Sequence, residues 1–313
     1  MTQRAFITGI GGFAGGHLAE LCASEGASVL GLVRGAPPQW LAPQVEVHRA
    51  DLADAAALRR ILAEARPDTI FHLAAETGSA DEGLLLASNV GGTTNLLEAA
   101  AALSPAPLVL VAGSSAVYGS GSAPGEPIRE EAPLAPVSSY GHAKAAQEAV
   151  AERLGTLLGV RVVRARAFNQ TGPRESDRFV ASSIARQIAE IEAGLRAPAI
   201  AIGRTDTVRD FTDVRDIVRG YWLAAARGTA GEVYNLASGR GVAIAEIVDG
   251  LVALSRASIV VTEDPVRMRP ADVPVQVGDA SKAEAALGWT AEIPLERTLG
   301  DLLDYWRREV RSG

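Results

Sequence analysis

The stretch Thr8-Gly9-Ile10-Gly11-Gly12-Phe13-Ala14-Gly15 follows an apolar run at residues 4–8 and leads directly into a helical pattern. Its three evenly spaced glycines let the backbone turn tightly, approach a pyrophosphate closely and pack the helix against the strand. The free N–H groups at the start of that helix suit an anion. The spacing Gly-x-x-Gly-x-x-Gly differs from the Gly-x-Gly-x-x-Gly of the commoner dehydrogenases, and a glycine-rich turn without a ligand is the alternative. We predict a dinucleotide site that includes Gly9, Gly12, Phe13 and Gly15.

Outward from this loop, short apolar runs alternate with longer amphipathic segments through the first half of the chain. That alternation predicts an α/β fold with a Rossmann-type doubly wound parallel sheet and helices on both of its faces. The runs are apolar throughout, as expected for strands that are covered on both sides. The predicted strands are residues 4–8, 28–33, 45–49, 69–73, 108–112 and 161–166, and the predicted helices are residues 14–25, 53–65, 84–103 and 140–158.

After about residue 167 the alternation is less regular, and helical segments are separated by short strands and proline-bearing loops. We predict a smaller C-terminal α/β lobe that binds substrate at the carboxyl edge of the sheet. The expected division is residues 1–167 for the NAD(P)-binding domain and 168–313 for the substrate lobe, with some segments crossing back to the first domain. Helices are predicted here at residues 180–194, 214–226, 244–254 and 295–307.

The net charge of −7 is spread over the chain, without a basic run or a basic amphipathic helix. This argues against nucleic acid or a membrane surface as the general partner. Cys22 is the only cysteine and the four histidines lie far apart in sequence, so neither an internal disulfide nor a metal site is expected. No secretory leader and no run of about 18 apolar residues is apparent, so we expect a soluble cytoplasmic protein.

Arg34 follows the second predicted strand, where folds that prefer NAD usually carry an acid for the ribose 2′-hydroxyl. An arginine there can meet a 2′-phosphate instead, so NADP(H) is favoured as the cofactor and NAD(H) is the alternative. Arg34 could also merely stack on the adenine or face solvent. Asp51 could reach the adenine amino group, or it could simply cap its helix. Further cofactor contacts are expected from Leu52, Leu73, Ala74 and Ala75.

Tyr140 and Lys144 stand four residues apart in a segment with a helical pattern. Residues i and i+4 share one face of a helix, so the Lys144 ammonium is expected beneath the Tyr140 hydroxyl. A nearby positive charge favours the phenolate, which predicts a lowered pKa for Tyr140 and a usable proton donor near neutral pH. Taken alone, the same spacing is also typical of a solvated helix face.

Several motifs follow one another along the chain: the glycine loop, Leu73-Ala74-Ala75, Ser114-Ser115-Ala116-Val117-Tyr118-Gly119 and the Tyr140/Lys144 pair. With them, the chain resembles the extended short-chain dehydrogenase/reductases that act on nucleotide sugars, and the resemblance spans nearly its whole length. It implies that Ser114, Tyr140 and Lys144 are catalytic and that Lys144 also holds the nicotinamide ribose. It further implies a role for Asn89 on the nicotinamide side and for Asn169 against the diphosphate of the sugar nucleotide.

Four segments of the second half, residues 168–173, 188–194, 208–216 and 267–272, are similar to one branch of that family, the GDP-4-keto-6-deoxy-D-mannose reductases. In that branch, arginines that match Arg209 and Arg269 hold the diphosphate. An acidic protein needs such fixed cations to bind a diphosphate, and guanidinium groups suit phosphate oxygens. Arg186 is a further candidate for this role. A salt bridge from Arg209 to Asp210 or Asp213 is the alternative.

The reaction that the resemblance implies is NAD(P)H-dependent reduction of the C4 ketone of a nucleotide-linked 4-keto-6-deoxy sugar. Tyr140 would give a proton to the ketone oxygen, Ser114 would hydrogen-bond the same oxygen, and Ser115 would assist at the substrate. The related 4,6-dehydratases carry an acid-bearing triplet such as Thr-Asp-Glu at the position of Ser114-Ser115-Ala116. Ala116 can supply neither an acid nor a base, which argues against dehydration.

Two other functions stay open on the sequence alone. A UDP-sugar 4-epimerase with tightly bound NAD uses the same serine, tyrosine and lysine, and Arg34 is the residue that favours a reductase over it. The second is a non-catalytic dinucleotide-binding sensor on the same fold. A sensor would function without Tyr140 or Lys144, and this chain retains both. The resemblance also implies a homodimer formed through the helices at residues 84–103 and 140–158.

Overall fold

Seven parallel strands form the central sheet of the computed structural model, which describes residues 3–42, 45–77, 81–119, 126–264 and 273–312. The first half of the chain contributes β1 (Arg4–Thr8), β2 (Ser28–Val33), β3 (Glu46–Arg49), β4 (Thr69–His72), β5 (Leu108–Ser114) and β6 (Val162–Ala167). The second half of the chain contributes the seventh strand, β10 (Val233–Leu236), which pairs with β6. Across the sheet the order is β10-β6-β5-β4-β1-β2-β3, so the strand order reverses between β4 and β1. Such a switch point is where open α/β sheets bind ligands.

Helices cover both faces of this sheet and divide its apolar side chains into two clusters. Along β1, Ala5 and Ile7 belong to one cluster and Phe6 to the other. Successive side chains along the strand therefore pack alternately against the two layers of helices, which explains why the strands are apolar throughout. The first layer contains α1 (Phe13–Ser24), α7 (Val214–Arg227) and α9 (Ser281–Leu287); the second contains α2 (Ala55–Ala65), α4 (Gly92–Ala101) and α5 (Ser139–Leu158).

A separate apolar core holds the second lobe together. Three helices surround it: α6 (Val180–Glu192), α8 (Ile244–Ala253) and α10 (Leu295–Ser312). Strand β9 (Val208–Asp213) is paired with β7 (Asn169–Thr171), β11 (Gly241–Ala243) and β13 (Val275–Gln276). A second small sheet pairs β8 (Ala199–Ile202) with β12 (Val260–Glu263).

A serine cap fixes where the helix with the Tyr140/Lys144 pair begins. The Ser138 side chain accepts a hydrogen bond from the Gly141 N–H at 3.1 Å, so α5 starts at Ser139. Tyr140 therefore lies in the first turn of α5, and Lys144 follows one turn later.

The predicted fold class is confirmed, and most predicted bounds agree with the structure within two residues. The predicted helix at residues 84–103 is interrupted: α3 (Glu82–Leu86) passes through a π-helical turn, Ala87–Gly91, into α4. In that turn the buried Asn89 accepts a hydrogen bond from the Glu76 N–H at 2.8 Å and donates to the Glu76 carbonyl at 3.2 Å. Such turns are often found at functional sites. The division at residue 167 stays a prediction, and α7 and β10 are segments that cross back to the first domain.

Within the described ranges, no helix is both long and apolar enough to cross a membrane. The same residues include no cluster of three or more His, Cys, Asp or Glu side chains that could bind a metal ion.

Candidate active site

A cleft of about 540 Å³ opens where the glycine loop, the end of β2 and the end of β4 meet. We call it the dinucleotide cleft. It brings together most of the residues predicted to bind the cofactor, namely Gly9, Gly12, Arg34, Asp51, Leu52, Ala74 and Ala75.

Two glycines of the loop are required by its geometry. Gly9 has a φ of +72°, and a Cβ there would lie 2.8 Å from the Ala74 nitrogen. A Cβ on Gly15 would lie 2.1 Å from the Gly9 oxygen, so Gly15 packs α1 against the loop and does not line the cleft. Gly12 caps α1 without a side-chain hydrogen bond, which leaves the N–H groups of the first turn to an anion.

Arg34 and Asp51, two of the three described charged residues that line the dinucleotide cleft, are both exposed. Asp51 accepts a hydrogen bond from the Ala53 N–H at 2.9 Å, whereas the N-cap of α2 is Asp54. The alternative that Asp51 merely caps that helix is therefore wrong.

A second cleft, of about 410 Å³, lies between the carboxyl ends of β5 and β6 and the second lobe. We call it the substrate cleft. Consecutive residues of the glycine loop, Gly12 and Phe13, line the dinucleotide cleft and the substrate cleft respectively, so the two clefts adjoin. The substrate cleft brings together Phe13, Ser114, Ser115, Ala116, Tyr140 and Asn169.

Ser114 and Tyr140 lie close together in the wall of the substrate cleft. Burial raises the pKa of Tyr140 above its ordinary value, and the neighbouring Ser114 hydroxyl opposes this shift. The expectation that Lys144 lowers the pKa of Tyr140 is thus wrong in direction. Desolvation of the phenol outweighs the effects of its neighbours.

Lys144 lies behind the clefts, and its side chain is only 3% exposed. Its ammonium donates to the Ala112 carbonyl at 2.7 Å and to Gln147 Oε1 at 2.7 Å. Burial lowers the pKa of Lys144 to about 8, against the opposing charge of Glu148. The amine is therefore mostly protonated at neutral pH.

A buried polar chain that the motifs did not reveal continues from Lys144 toward the glycine loop. Gln147 Nε2 donates to Thr93 Oγ1 at 2.9 Å, and Thr93 Oγ1 in turn donates to the Asn89 carbonyl at 2.6 Å. Thr93 Oγ1 therefore accepts from His72 Nε2 at 2.8 Å, which assigns the ring proton of His72 to Nε2.

The other ring nitrogen of His72 completes the chain. His72 Nδ1 accepts from Thr8 Oγ1 at 2.8 Å, and Thr8 Oγ1 accepts from the Ala74 N–H at 3.2 Å. Burial lowers the pKa of His72 to about 3, so the ring is neutral. The bonds of His72 to Thr8 and Thr93 agree with this tautomer, which leaves the 3.4 Å approach of Gln147 Nε2 to His72 Nε2 as a contact between two donors. The chain connects Lys144 with the end of β1.

Arg209 is the one predicted diphosphate ligand whose guanidinium has no carboxylate partner in the described part of the chain. It donates to the Val208 carbonyl at 2.8 Å, and burial lowers its pKa. Asp210 instead accepts hydrogen bonds from Ser238 and two glycine N–H groups, and Asp213 pairs with Arg215. The alternative of a salt bridge from Arg209 to either aspartate is therefore wrong. Arg209 shares its face of β9 with Phe211, which lines the substrate cleft.

The other two predicted diphosphate ligands are not found at the clefts. Arg186 is half exposed, pairs with Asp177 and Glu190, and lies over the Trp306 ring at 5.5 Å. Its charge is already compensated, and it does not line the substrate cleft. Arg269 lies outside the described residues.

Leu73 and Asn89 likewise lie behind the clefts. Leu73 packs against the core on the α1 side of the sheet, and Asn89 is fully buried. Neither residue lines the dinucleotide cleft. Both instead support backbone that lines the dinucleotide cleft, at Ala74 and Glu76 respectively.

Five polar residues that line the substrate cleft are not among the predicted site residues. Gln276 accepts from the Ser115 hydroxyl at 3.2 Å and donates to the Ser115 carbonyl at 3.1 Å. Their chain positions are scattered, so only Gln170 and Glu175, which flank the Gly172-Pro173 turn beside Asn169, carried a local signal. The five are Thr77, Gln170, Glu175, Tyr221 and Gln276.

The residues of the dinucleotide cleft fit a nicotinamide dinucleotide. The glycine loop offers backbone N–H groups at a helix start, and Gly9 lets the loop pass close to the Ala74 backbone in the wall of the cleft. Arg34 supplies a cation for a phosphate group on the ribose, and Asp51 supplies an acceptor.

Comparisons with known proteins bear on both clefts, because each spans nearly the whole chain. The chain matches the GDP-mannose 4,6 dehydratase family over residues 6–302. It is 35% identical to the GDP-6-deoxy-D-mannose reductase of Pseudomonas aeruginosa, over 100% of both chains. The structure of RMD from Pseudomonas aeruginosa complexed with NADPH superposes with a TM-score of 0.85 at 33% identity, covering 98% of this chain and 100% of that one. The UDP-glucose 4-epimerase of Thermus thermophilus complexed with NAD gives a TM-score of 0.87 at 27% identity, covering 97% and 99%.

Proposed function

The chain belongs to the GDP-mannose 4,6 dehydratase family of extended short-chain dehydrogenase/reductases, and from that membership we propose that it reduces the C4 ketone of GDP-4-keto-6-deoxy-D-mannose. The product is the GDP-linked 6-deoxyhexose. The observation that carries the proposal is that Ser114 and Tyr140 lie together in the wall of a cleft that adjoins the dinucleotide cleft.

NADPH, when bound, supplies the hydride for C4 of the sugar. Tyr140 donates its phenolic proton to the ketone oxygen, because its raised pKa keeps the phenol protonated at neutral pH. The Ser114 hydroxyl hydrogen-bonds the same oxygen and stabilises its developing negative charge. The Lys144 ammonium, one turn along α5, stabilises the phenolate that remains after the proton has moved.

NADPH is favoured over NADH because Arg34 follows β2, where a cation can meet the 2′-phosphate. RMD of Pseudomonas aeruginosa, 33% identical to this chain, is complexed with NADPH. NADH is the second cofactor to test.

The diphosphate of the substrate is assigned to Arg209 and Asn169, with Arg269 as a further ligand. Arg209 has a partly buried guanidinium without a carboxylate partner among the described residues, and Asn169 lines the substrate cleft. A phosphate oxygen would replace the missing counter-charge.

Three alternatives are less well supported. The epimerase alternative is not favoured, since the relative complexed with NADPH and the full-length reductase relative have a higher sequence identity to this chain (33% and 35%) than the epimerase of Thermus thermophilus (27%). Ala116 lines the substrate cleft where a dehydratase would carry an acid. A non-catalytic sensor would not need the Ser114, Tyr140 and Lys144 set that this chain retains.

We also propose a homodimer through the helices at residues 84–103 and 140–158. Leu84 is 50% exposed and Leu157 is 70% exposed on these helices, which pack against each other. Light scattering at several protein concentrations tests this. A cytoplasmic location stays a prediction.

The test is an assay with NADPH and GDP-4-keto-6-deoxy-D-mannose. We expect loss of NADPH absorbance in step with formation of GDP-6-deoxy-D-mannose, and slower turnover with the UDP- and dTDP-linked ketosugars. NAD that stays bound through purification, together with interconversion of UDP-hexoses and no NADPH consumption, would contradict the proposal.

A further inference from the structure

Glu175 is a carboxylic acid in the wall of the substrate cleft with an incomplete set of hydrogen bonds. It is 5% exposed, and its Oε2 accepts from the Thr171 hydroxyl at 2.6 Å. Its Oε1 makes no hydrogen bond to any described residue. No arginine, lysine or histidine pairs with this carboxyl group among those residues, which is unusual for a buried acid.

The backbone around Glu175 is held firmly. The Glu175 N–H donates to the Gly172 carbonyl at 3.1 Å, and the Ser182 hydroxyl donates to the Glu175 carbonyl at 2.7 Å. The preceding Arg174 has a φ of 74°, in the left-handed region that costs energy for a non-glycine residue.

Contacts with α1 hold Arg174 in this conformation. Its guanidinium donates to both carboxylate oxygens of Glu20, at 2.7 and 2.8 Å, and lies 4.9 Å from the centre of the Trp40 ring. It also donates to His17 Nδ1 at 2.8 Å, and His17 Nε2 therefore donates to the Pro173 carbonyl at 2.9 Å. The turn that presents Glu175 is thus fastened to the helix that follows the glycine loop.

Gln170 supplies a second polar group with an unmet hydrogen bond in the same cleft. Its Oε1 is buried and has no hydrogen-bond partner. Buried acceptors are nearly always paired in folded proteins, and this oxygen gains a donor if the Gln170 amide turns toward a ligand in the cleft that its residue lines. Gln170 lies on β7, five residues before Glu175, and both line the substrate cleft.

We propose that Gln170 and Glu175 form the subsite that hydrogen-bonds the hydroxyl groups of the hexose, an assignment that rests on the proposed function. A sugar hydroxyl is both a donor and an acceptor, so it can satisfy Gln170 Oε1 with its proton and receive a hydrogen bond on its oxygen. The nucleotide diphosphate is left to Arg209 and Asn169, as proposed above.

The protonation state of Glu175 fits this role. Burial raises the pKa of Glu175 to about 8, against the opposing hydrogen bond from Thr171. Below that pH the acid is neutral, and since Oε2 is already an acceptor, its proton is available on Oε1. A neutral acid can also lie near a diphosphate without repelling it.

Other titratable groups surround Glu175 on three sides. Tyr140 of α5 and Tyr221 of α7 line the same cleft, and burial raises the pKa of both. On the α1 side, His17 has a lowered pKa because of burial, and Arg174 is paired with Glu20. The pKa of Lys144 is about 8, the same as that of Glu175. The test must therefore separate the titration of Lys144 from that of Glu175.

The test compares the affinities of GDP-6-deoxy-D-mannose and GDP by calorimetry, with the protein saturated with NADP⁺. For Glu175→Leu and Gln170→Leu, the affinity of the sugar nucleotide relative to GDP should fall about tenfold, the worth of one hydrogen bond to a buried group. Glu175→Gln, which keeps a neutral donor, should keep the wild-type ratio at pH 6.5. Glu284→Gln, an exposed carboxylate on α9, is the matched control.

A second arm uses pH and keeps the test decisive if the leucine variants fail to fold. In the wild type the affinity ratio should fall as pH rises through about 8, because Glu175 loses its proton. In Glu175→Gln the ratio should stay flat over the same range. Lys144 and both tyrosines are present in both proteins, so the difference belongs to Glu175.

The outcomes separate this proposal from the function on which it rests. If the wild type oxidises NADPH with the ketosugar but the leucine variants keep the wild-type affinity ratio, the subsite is wrong and the function stands. If the wild type binds neither GDP-6-deoxy-D-mannose nor GDP, the proposed function and the proposed subsite are both wrong. If the wild type dehydrates GDP-mannose and Glu175→Gln does not, Glu175 is an acid–base group, and the subsite is wrong.

Discussion

Tyr140 stays protonated at neutral pH because burial raises the pKa of its phenol. The spacing to Lys144 alone predicts the opposite direction, since it leaves out desolvation. Desolvation depends on which side chains cover the phenol, and these come from distant parts of the chain. The raised pKa suits a residue that must give a proton, while the charge of Lys144 acts after the proton has left.

Tyr140→Phe should lower kcat by a factor of about 10² to 10⁴, because the proton donor to the ketone oxygen is lost. Affinity for NADPH, measured by fluorescence titration, should change little. Tyr305→Phe on α10, outside both clefts, is the control. A Tyr140→Phe protein with wild-type kcat would remove Tyr140 from the mechanism.

Arg34→Ala should raise the KM for NADPH by about 10-fold to 100-fold and leave the KM for NADH nearly unchanged, because only NADPH carries the 2′-phosphate. Steady-state kinetics with both cofactors measure this. Arg59→Ala, an exposed arginine on α2, is the control. An equal effect on both cofactors would mean that Arg34 stacks on the adenine instead.

Glu175→Gln should change how stability depends on pH. The pKa of Glu175 is about 8 in the folded protein, above the ordinary 4.5. The stability that the neutral acid contributes is therefore fully present below about pH 4.5 and is lost as pH rises through about 8. In urea unfolding at pH 5.5, 7 and 8.5, the free energy of unfolding of the variant should rise relative to that of the wild type by up to about 1.4 kcal/mol per pH unit. A difference that does not vary with pH contradicts a buried titrating acid.

At the scale of elements, helix α5 carries Tyr140 and Lys144, the proposed catalytic pair, and its contacts with neighbouring elements fix its position. Glu148 pairs with the buried Arg166 of β6 at 2.8 Å. Gln147, on the same helix, links Lys144 to Thr93 of α4. Lys144 is therefore held by the packing of three elements and not by its own helix alone.

Gln147→Leu and Gln147→Glu should move the pKa of Lys144 in opposite directions. Leucine removes an acceptor from the ammonium and should shift the alkaline limb of kcat below about pH 8, whereas glutamate adds a negative charge and should shift it upward. Leucine should also lower stability by about 1 to 3 kcal/mol, because Thr93 and Lys144 lose a partner. The pH profiles of kcat measure both shifts. A limb that stays in place in both variants contradicts the role given to Lys144.

Most helices and strands could be predicted from the sequence, but the π-helical turn that interrupts one predicted helix could not. The buried strands and amphipathic helices follow from local periodicity, so most of their bounds are predicted within two residues. The π-helical turn at Ala87–Gly91 is not, because it depends on Asn89 meeting the Glu76 backbone. The hydrogen-bonded chain through His72 is not predicted either, because side-chain partners within it lie up to 64 residues apart in sequence.

At the scale of the whole molecule, the first half of the chain lines the dinucleotide cleft, and both halves line the adjoining substrate cleft. The glycine motif and the Tyr140/Lys144 pair predicted the dinucleotide cleft and the catalytic group, because each is local in sequence. The wall of the substrate cleft opposite them comes from residues 167–181, Phe211, Tyr221 and Gln276. Those residues meet only through tertiary packing, so the nearness of Gln170 and Glu175 to Asn169 in the sequence was not enough to assign them to the site.

The central claim is a net reduction at C4 of the sugar, and NADPH deuterated at the transferred position of the nicotinamide C4 tests it most directly. After turnover with GDP-4-keto-6-deoxy-D-mannose, mass spectrometry and NMR should find one deuterium per product molecule, at C4 of the hexose, with one NADPH consumed for each product formed. Sugar nucleotide that is converted without deuterium at C4, with the cofactor returned unchanged, would contradict the account.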